Sequence, residues 1–166
     1  MAVTRAARIC LNGHMISLEY FEVRNKSKFC FHCGEKTITH CENCGAQIRA
    51  VFRQEFFPLE HGNVGEMRGY FNPNFCPNCG QAYPWTWRAI NSVVEIVQTE
   101  VKLSDAEIDQ IKTDLTELTK DSPKAKPAAL RFKELMKKMG EGTVQSVREI
   151  ATQVLTEAAK RTIWGA

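Results

Sequence analysis

Hydrophobic residues along this chain change rhythm once. From Trp87 onward they recur at three and four residues, as Trp87, Ile90, Val94, Val97 and Val101, which is the spacing of one helical face. Ser104-x-x-Glu107 has the form of a capping box, in which two side chains satisfy orphan amides at a helix start. Behind it Ile108, Ile111, Leu115 and Leu118 continue at helical spacing. The run Asp121-Ser-Pro-Lys-Ala-Lys-Pro127 interrupts the pattern, and Pro123 or Pro127 suits a first helical turn. A third helix is predicted to about Met139, closed by Gly140 as a left-handed C′ residue. A fourth begins near Thr143 and carries Val147, Ile150, Ala151, Val154 and Ala158. Four short amphipathic helices around a common core predict a small bundle or a pair of helical hairpins.

Before Pro84–Trp87 the pattern is of another kind. Met15-Ile-Ser-Leu-Glu-Tyr-Phe-Glu-Val23 fits a short strand or two. A longer insert, Ala46 to Asn74, carries Phe56-Phe57, Tyr70-Phe71 and two prolines. Every Cys and every His lies in this first part, whereas the second is rich in Ala, Leu, Val, Ile, Glu and Lys. The expected organisation is therefore α+β, with two small metal ribbons of short antiparallel hairpins in 1–84 and a helical domain of about four helices in 85–166.

The length of 166 residues allows one ordinary domain or two small ones and excludes a barrel enzyme. No stretch approaches the ~18–20 uninterrupted apolar residues of a membrane span. Met1 to Met15 has no continuous apolar core, so no secretory signal is expected. Seven cysteines, an odd number, then argue against a disulfide framework and for metal ligands in a reducing, cytoplasmic setting.

The cysteines are organised. Cys30/Cys33, Cys41/Cys44 and Cys76/Cys79 are three Cys-x-x-Cys pairs, each followed by Gly. Such a pair delivers two thiolates from one tight turn. The following glycine is expected both for its access to positive φ and because the turn tolerates little side-chain bulk. Cys10 and His14 form a fourth pair. Eight ligands are the number two closed tetrahedral sites require, so two Zn2+ ions are expected. The pairs can combine sequentially, as Cys10, His14, Cys30, Cys33 and Cys41, Cys44, Cys76, Cys79. They can also combine nested, with Cys30/Cys33 joined to Cys41/Cys44. His32, His40 and His61 are not needed as ligands, and exposed or outer-sphere roles are expected for them.

A family resemblance rests on these same motifs. Ile9-Cys-Leu-Asn-Gly-His14, Phe29-Cys-x-x-Cys-Gly34, Cys41-x-x-Cys-Gly-x-x-Ile-Arg49 and Phe75-Cys-Pro-x-Cys-Gly80 with Tyr83-Pro-Trp85 are similar to those of a bacterial double zinc-ribbon family. So are Leu103-Ser-Asp, Asp121-Ser-Pro and Ala128-Ala-Leu-Arg-Phe132 in the helical part. The resemblance implies the architecture and the two metals, and supplies no activity.

Closed sites leave no coordination position for water or substrate. The chain also lacks His-Glu-x-x-His, a P-loop, a dinucleotide glycine turn and Gly-x-Ser-x-Gly. It is therefore read as a non-enzymatic adaptor or regulatory module whose partner is another protein. The insert offers Phe56 and Phe57 as interface anchors, while Trp85 and Trp87 are expected in the seam between ribbons and helices. The alternative partner is nucleic acid, reached through Arg49, Arg53 and Arg68 beside those aromatics. Charge bears on the choice. Residues 1–84 carry nine Lys+Arg and seven Asp+Glu; with seven thiolates and two divalent ions the sum is −1, so the field as a whole is not basic. A third reading is assembly through the helices, as a homo-oligomer or on a membrane surface, if Val154, Leu155, Ile163 and Trp164 form an exposed apolar face; bundle core is the commoner fate of such a stripe.

Overall fold

The computed structural model describes residues 4–18, 27–58 and 64–165, with backbone alone at 53–58 and 64–68. The chain divides into two compact units, Met1–Trp85 and Thr86–Ala166.

The first unit is built on an antiparallel sheet. Its strands are β1 (Thr4–Cys10), β2 (Met15–Leu18), β3 (Thr37–Ile38), β4 (Arg49–Pro58) and β5 (Val64–Phe71). The order is β2-β1-β4-β5, with β3 also on β1. Ile9 pairs with Met15 of β2 and with Ile38 of β3, so these flank opposite edges of β1. Its first residues, Thr4 to Ala6, pair instead with β4. β1 therefore carries the unit and is covered on both faces: Ala6, Ala7, Ile9 and Cys10 are all buried, Ala7 and Ile9 in one core cluster. Ile38, Ile48, Ala50, Cys41, Cys76, Tyr83 and Trp85 complete one core. The Tyr83 and Trp85 rings stack at 4.7 Å. β4 and β5 form a ladder from Val51↔Phe71 to Pro58↔Val64. This long hairpin occupies most of the insert that the sequence left unassigned. The expected strand of Met15–Val23 is seen as β2; its later residues lie outside those described.

The second unit contains five helices among the described residues, not about four: α1 (Pro84–Glu100), α2 (Asp105–Leu118), α3 (Ala125–Met136), α4 (Glu141–Ala151) and α5 (Glu157–Trp164). The capping box at Ser104 and Glu107 is formed in both directions. Pro127 lies in the first turn of α3. The predicted fourth helix is broken in two. The Thr156 hydroxyl accepts the Ala159 amide as an N-cap, and the Thr156 amide donates to the Leu118 carbonyl at 3.0 Å, so a new helix starts there.

Gly140 also differs from expectation. It is the N-cap of α4, at φ −67° and ψ 155°, and not a left-handed C′ residue. It has no side chain to cap with, and Glu100 supplies one: the carboxylate accepts the Gly140 amide at 2.9 Å and the Thr143 hydroxyl. A carboxylate at a helix N-terminus also meets the positive end of the helix dipole.

The core of this unit is Ile90, Val93, Val94 and Val97 from α1 with Leu115, Leu118, Phe132, Met136, Val147, Ala151 and Ile163. Val154 and Leu155 are buried in it as well, and Trp164 packs against it, so these residues do not form the exposed apolar face of the third reading. Asp114, the one buried carboxylate among the described residues, is held by two guanidinium hydrogen bonds from Arg131 (2.9 and 2.5 Å) and one from Gln110; a buried charge needs such partners. Trp87, expected to be buried, is 43% exposed. No helix among the described residues is long and apolar enough to cross a membrane.

Candidate metal centres

Cys30–Gly34, Cys41–Gly45 and Cys76–Gly80 fold into the same turn. In each, the glycine amide donates to the carbonyl of the first cysteine at 2.8–2.9 Å. The amide of that cysteine donates to the carbonyl five residues on, at Glu35, Ala46 and Gln81, at 2.7–2.8 Å. One bridge closes each turn: Phe29↔Lys36, His40↔Gln47 and Phe75↔Ala82. The glycines take φ of +72°, +71° and +74°, the left-handed region that L residues enter at a cost. Bulk is not the reason for them, contrary to the sequence argument: a Cβ at Gly34, Gly45 or Gly80 would meet nothing within 4 Å.

The fourth pair is built differently. Cys10 ends β1 and His14 precedes β2, and the turn between them closes through Gly13 N to Cys10 O at 2.8 Å and Cys10 N to His14 O at 2.9 Å. Gly13, at φ +89°, lies under Trp85, whose Cβ would stand 3.1 Å from an added Cβ. Asn72 donates to the Gly13 carbonyl at 2.5 Å, and Trp85 Nε1 donates to the Pro73 carbonyl at 3.0 Å. The turn is thus clamped by residues from far along the chain.

The structure gathers the eight predicted ligands into two groups, Cys10, His14, Cys30, Cys33 and Cys41, Cys44, Cys76, Cys79. Within each, all ligand atoms lie within 4.8 Å of one another. This is the sequential combination. Cys10 and Cys33 sulfurs are 3.8 Å apart, Cys41 and Cys79 3.8 Å, and Cys44 and Cys76 3.7 Å. Those separations are far beyond the ~2.05 Å of a disulfide. They equal the edge of a tetrahedron with metal–sulfur bonds of about 2.3 Å, which is about 3.8 Å. His14 Nδ1 is 3.4 Å from Cys10 Sγ and 3.6 Å from Cys30 Sγ, against about 3.6 Å for the mixed sulfur–nitrogen edge. Each group could hold one metal ion.

Backbone amides aim at the sulfurs, as His14 N to Cys10 Sγ at 3.2 Å and His32 N to Cys30 Sγ at 3.4 Å. Their effect competes with burial. Burial pushes the Cys10 and Cys41 thiols up to about 11, outweighing the amides of His14 and Asn12 at one and of Cys44 and Asn43 at the other. The Glu35 amide brings exposed Cys33 down to about 6. At Cys76 burial pulls upward, but the amides of Cys79 and Asn78 and the Tyr83 hydroxyl lower the thiol to about 6. The Asn43 side chain and the Gln81 amide lower Cys79. Each group therefore holds thiolate-favouring donors in place.

His32 and His40 are exposed, the first with its ring 5.3 Å from that of His14 and the second beside the Thr39 hydroxyl. His61 lies outside the described residues. Of the five residues proposed for a partner surface, only Arg49 has a described side chain. Arg49 is exposed and bonds Thr4. The side chains of Arg53, Phe56, Phe57 and Arg68 lie outside those described. Sequence reasoning passed over a pair that does stand out, Phe29 and Phe31, which are 64% and 69% exposed beside the first group. Their signal was an aromatic on each side of Cys30, in a knuckle whose counterpart at Cys41 has His and Glu there.

No curated protein and no solved structure matches the chain. A family model described as "Uncharacterized protein conserved in bacteria (DUF2321)" matches residues 3–163, nearly the whole length, and the chain belongs to that bacterial family.

Proposed function

We propose that this protein is a non-enzymatic module of two zinc ribbons and a helical domain, in which two structural Zn2+ ions hold rigid loops for binding another macromolecule. The observation that carries the reading is the assembly of eight donors into two closed groups of four at tetrahedral edge lengths. Zinc is favoured over an iron–sulfur centre by the imidazole in the first group, and over hard cations by the seven sulfurs. Four protein ligands per ion leave no position for a bound water or substrate, which supports a structural role. Thiolates retained as ligands suit a reducing compartment, the cytoplasm.

A protein partner reached through the insert is the first expectation. The exposed phenylalanines beside the first group favour the second reading, nucleic acid. The test is metal analysis of the purified chain with an affinity pull-down from the native cell, with and without nuclease, comparing wild type and Cys44→Ser. Two zinc per chain, reduced in the variant together with its partner, is the expected result. One zinc or none in the wild type refutes the reading.

A further inference from the structure

Among the described residues, Phe29 and Phe31 have the highest exposures of the exposed large hydrophobic residues, at 64% and 69%. Both stand on the first knuckle, one on each side of the buried ligand Cys30. The corresponding positions of the second knuckle are His40 and Glu42, and those of the third are Phe75 and Pro77. The knuckle itself does not require the rings, because the second forms the same turn without them. Exposed apolar side chains need no explanation singly, but here they stand with cations.

The surroundings indicate its chemistry. Exposed Lys28 precedes Phe29, and Lys36 is the residue bridged to Phe29 across the turn. Lys36 has a 3.6 Å contact with Glu42, but both side chains are more than half exposed, so a phosphate can displace the carboxylate. Glu35, next in the chain to Lys36, accepts the Lys36 backbone amide. The Phe31 ring lies 4.2 Å from the ring of the adjacent His32, tilted by 43°, so two exposed rings stand side by side. Four of the nine cations of residues 1–84 fall within 24–36, Lys28 and Lys36 among the described residues, against Glu35 and the thiolates of Cys30 and Cys33, whose charge a bound Zn2+ would offset, so the basic charge that the unit as a whole lacks is concentrated in this stretch. Aromatic faces interleaved with cations are what a single-stranded nucleic acid uses: bases stack on the rings and phosphates meet the lysines. A duplex, with its bases stacked inward, offers the rings nothing.

We infer that the first knuckle is a stacking site for single-stranded nucleic acid, with Phe29 and Phe31 as base platforms and Lys28 and Lys36 as phosphate contacts. This rests on the binding-module reading and on its nucleic-acid branch. The metal positions the rings and takes no other part.

The experiment is fluorescence anisotropy with the full-length zinc-loaded chain, using labelled 12-nucleotide oligo-U, oligo-dT and a 12-base-pair duplex. Both single strands are expected to bind and the duplex to bind far less. Phe29→Ala and Phe31→Ala each weaken single-strand binding about 5- to 150-fold. Both rings are exposed, so the variants keep their metal and their fold, which metal analysis and circular dichroism verify. Lys28→Ala with Lys36→Ala lowers the slope of log affinity against log salt by about 1.4. Absence of single-strand binding, or equal affinity in wild type and the Phe29→Ala/Phe31→Ala variant, overturns the inference. So does ring-dependent, nuclease-resistant capture of a protein without oligonucleotide binding. Two zinc per chain in those cases leaves the metal reading standing, whereas a wild type lacking zinc removes that reading instead.

Discussion

Adding a single methyl group to the knuckle glycines separates two forces that the sequence cannot tell apart. Gly34, Gly45 and Gly80 sit at φ between +71° and +74° with open space where a Cβ would go. Alanine there pays only for the left-handed conformation, about 1–2 kcal/mol per site. Gly13, at φ +89°, would add a 3.1 Å contact with the Cβ of Trp85, itself buried and anchored to the Pro73 carbonyl. That contact cannot be relieved by swinging a flexible chain end, so Gly13→Ala costs the conformational amount and a repacking amount besides, about 2–5 kcal/mol in total. If the strain exists only in the folded knuckle, it appears as weaker metal binding. Competition against a chromogenic chelator should show about 5- to 30-fold loss for Gly34→Ala, Gly45→Ala and Gly80→Ala, and a larger loss for Gly13→Ala. Asparagine, which enters the left-handed region more readily, should recover much of the loss at Gly45. Equal damage at Gly13 and Gly34, or asparagine no better than alanine at Gly45, would refute the division between conformation and space.

Chelation should unfold the first unit and spare the second: the fluorescence of Trp85, buried among Tyr83 and the cysteine-bearing turns, changes while most helical signal at 222 nm remains; parallel loss of both signals would contradict this. Phe132→Ala, at a side chain 1% exposed in the helical core, is expected to cost about 3–5 kcal/mol in urea unfolding followed at 222 nm. Glu100 gives a pH signature. The Thr143 hydroxyl and the Gly140 amide lower its pKa, so its contribution to stability is full above the ordinary carboxylate range and is lost as pH falls through the lowered value. The difference in Tm between wild type and Glu100→Gln should therefore be largest near neutrality and close in acid; a difference independent of pH would count against the cap.

The ligands were legible because each pair is written in four or five consecutive residues, and a knuckle is decided by its own amides and its glycine. The capping box at Ser104 was legible for the same reason. β1 was not. Ala6 and Ala7 are adjacent and both buried, and a register shift between Arg8 and Ile9 breaks the alternation that marks a strand. The break between α4 and α5 was hidden because Val154 and Ala158 continue the apolar spacing through it, while the stop depends on Leu118, far away in sequence, accepting the Thr156 amide. Gly140 was misassigned because its partner, Glu100, lies forty residues upstream. The exposed phenylalanines were overlooked because a hydrophobic residue beside a cysteine reads as core until the turn shows which way it points.

The second four-ligand group stands astride the long hairpin. Cys44 comes five residues before β4 begins and Cys76 five residues after β5 ends. An ion shared by the two knuckles would therefore fasten the ladder at its foot. A slip of one residue would turn every side chain to the wrong side and at the same time pull a sulfur out of reach. Such an ion would act as a ratchet pawl against sliding, and a strand pinned in this way could leave its outer edge bare with less danger of shuffling into a neighbour's sheet.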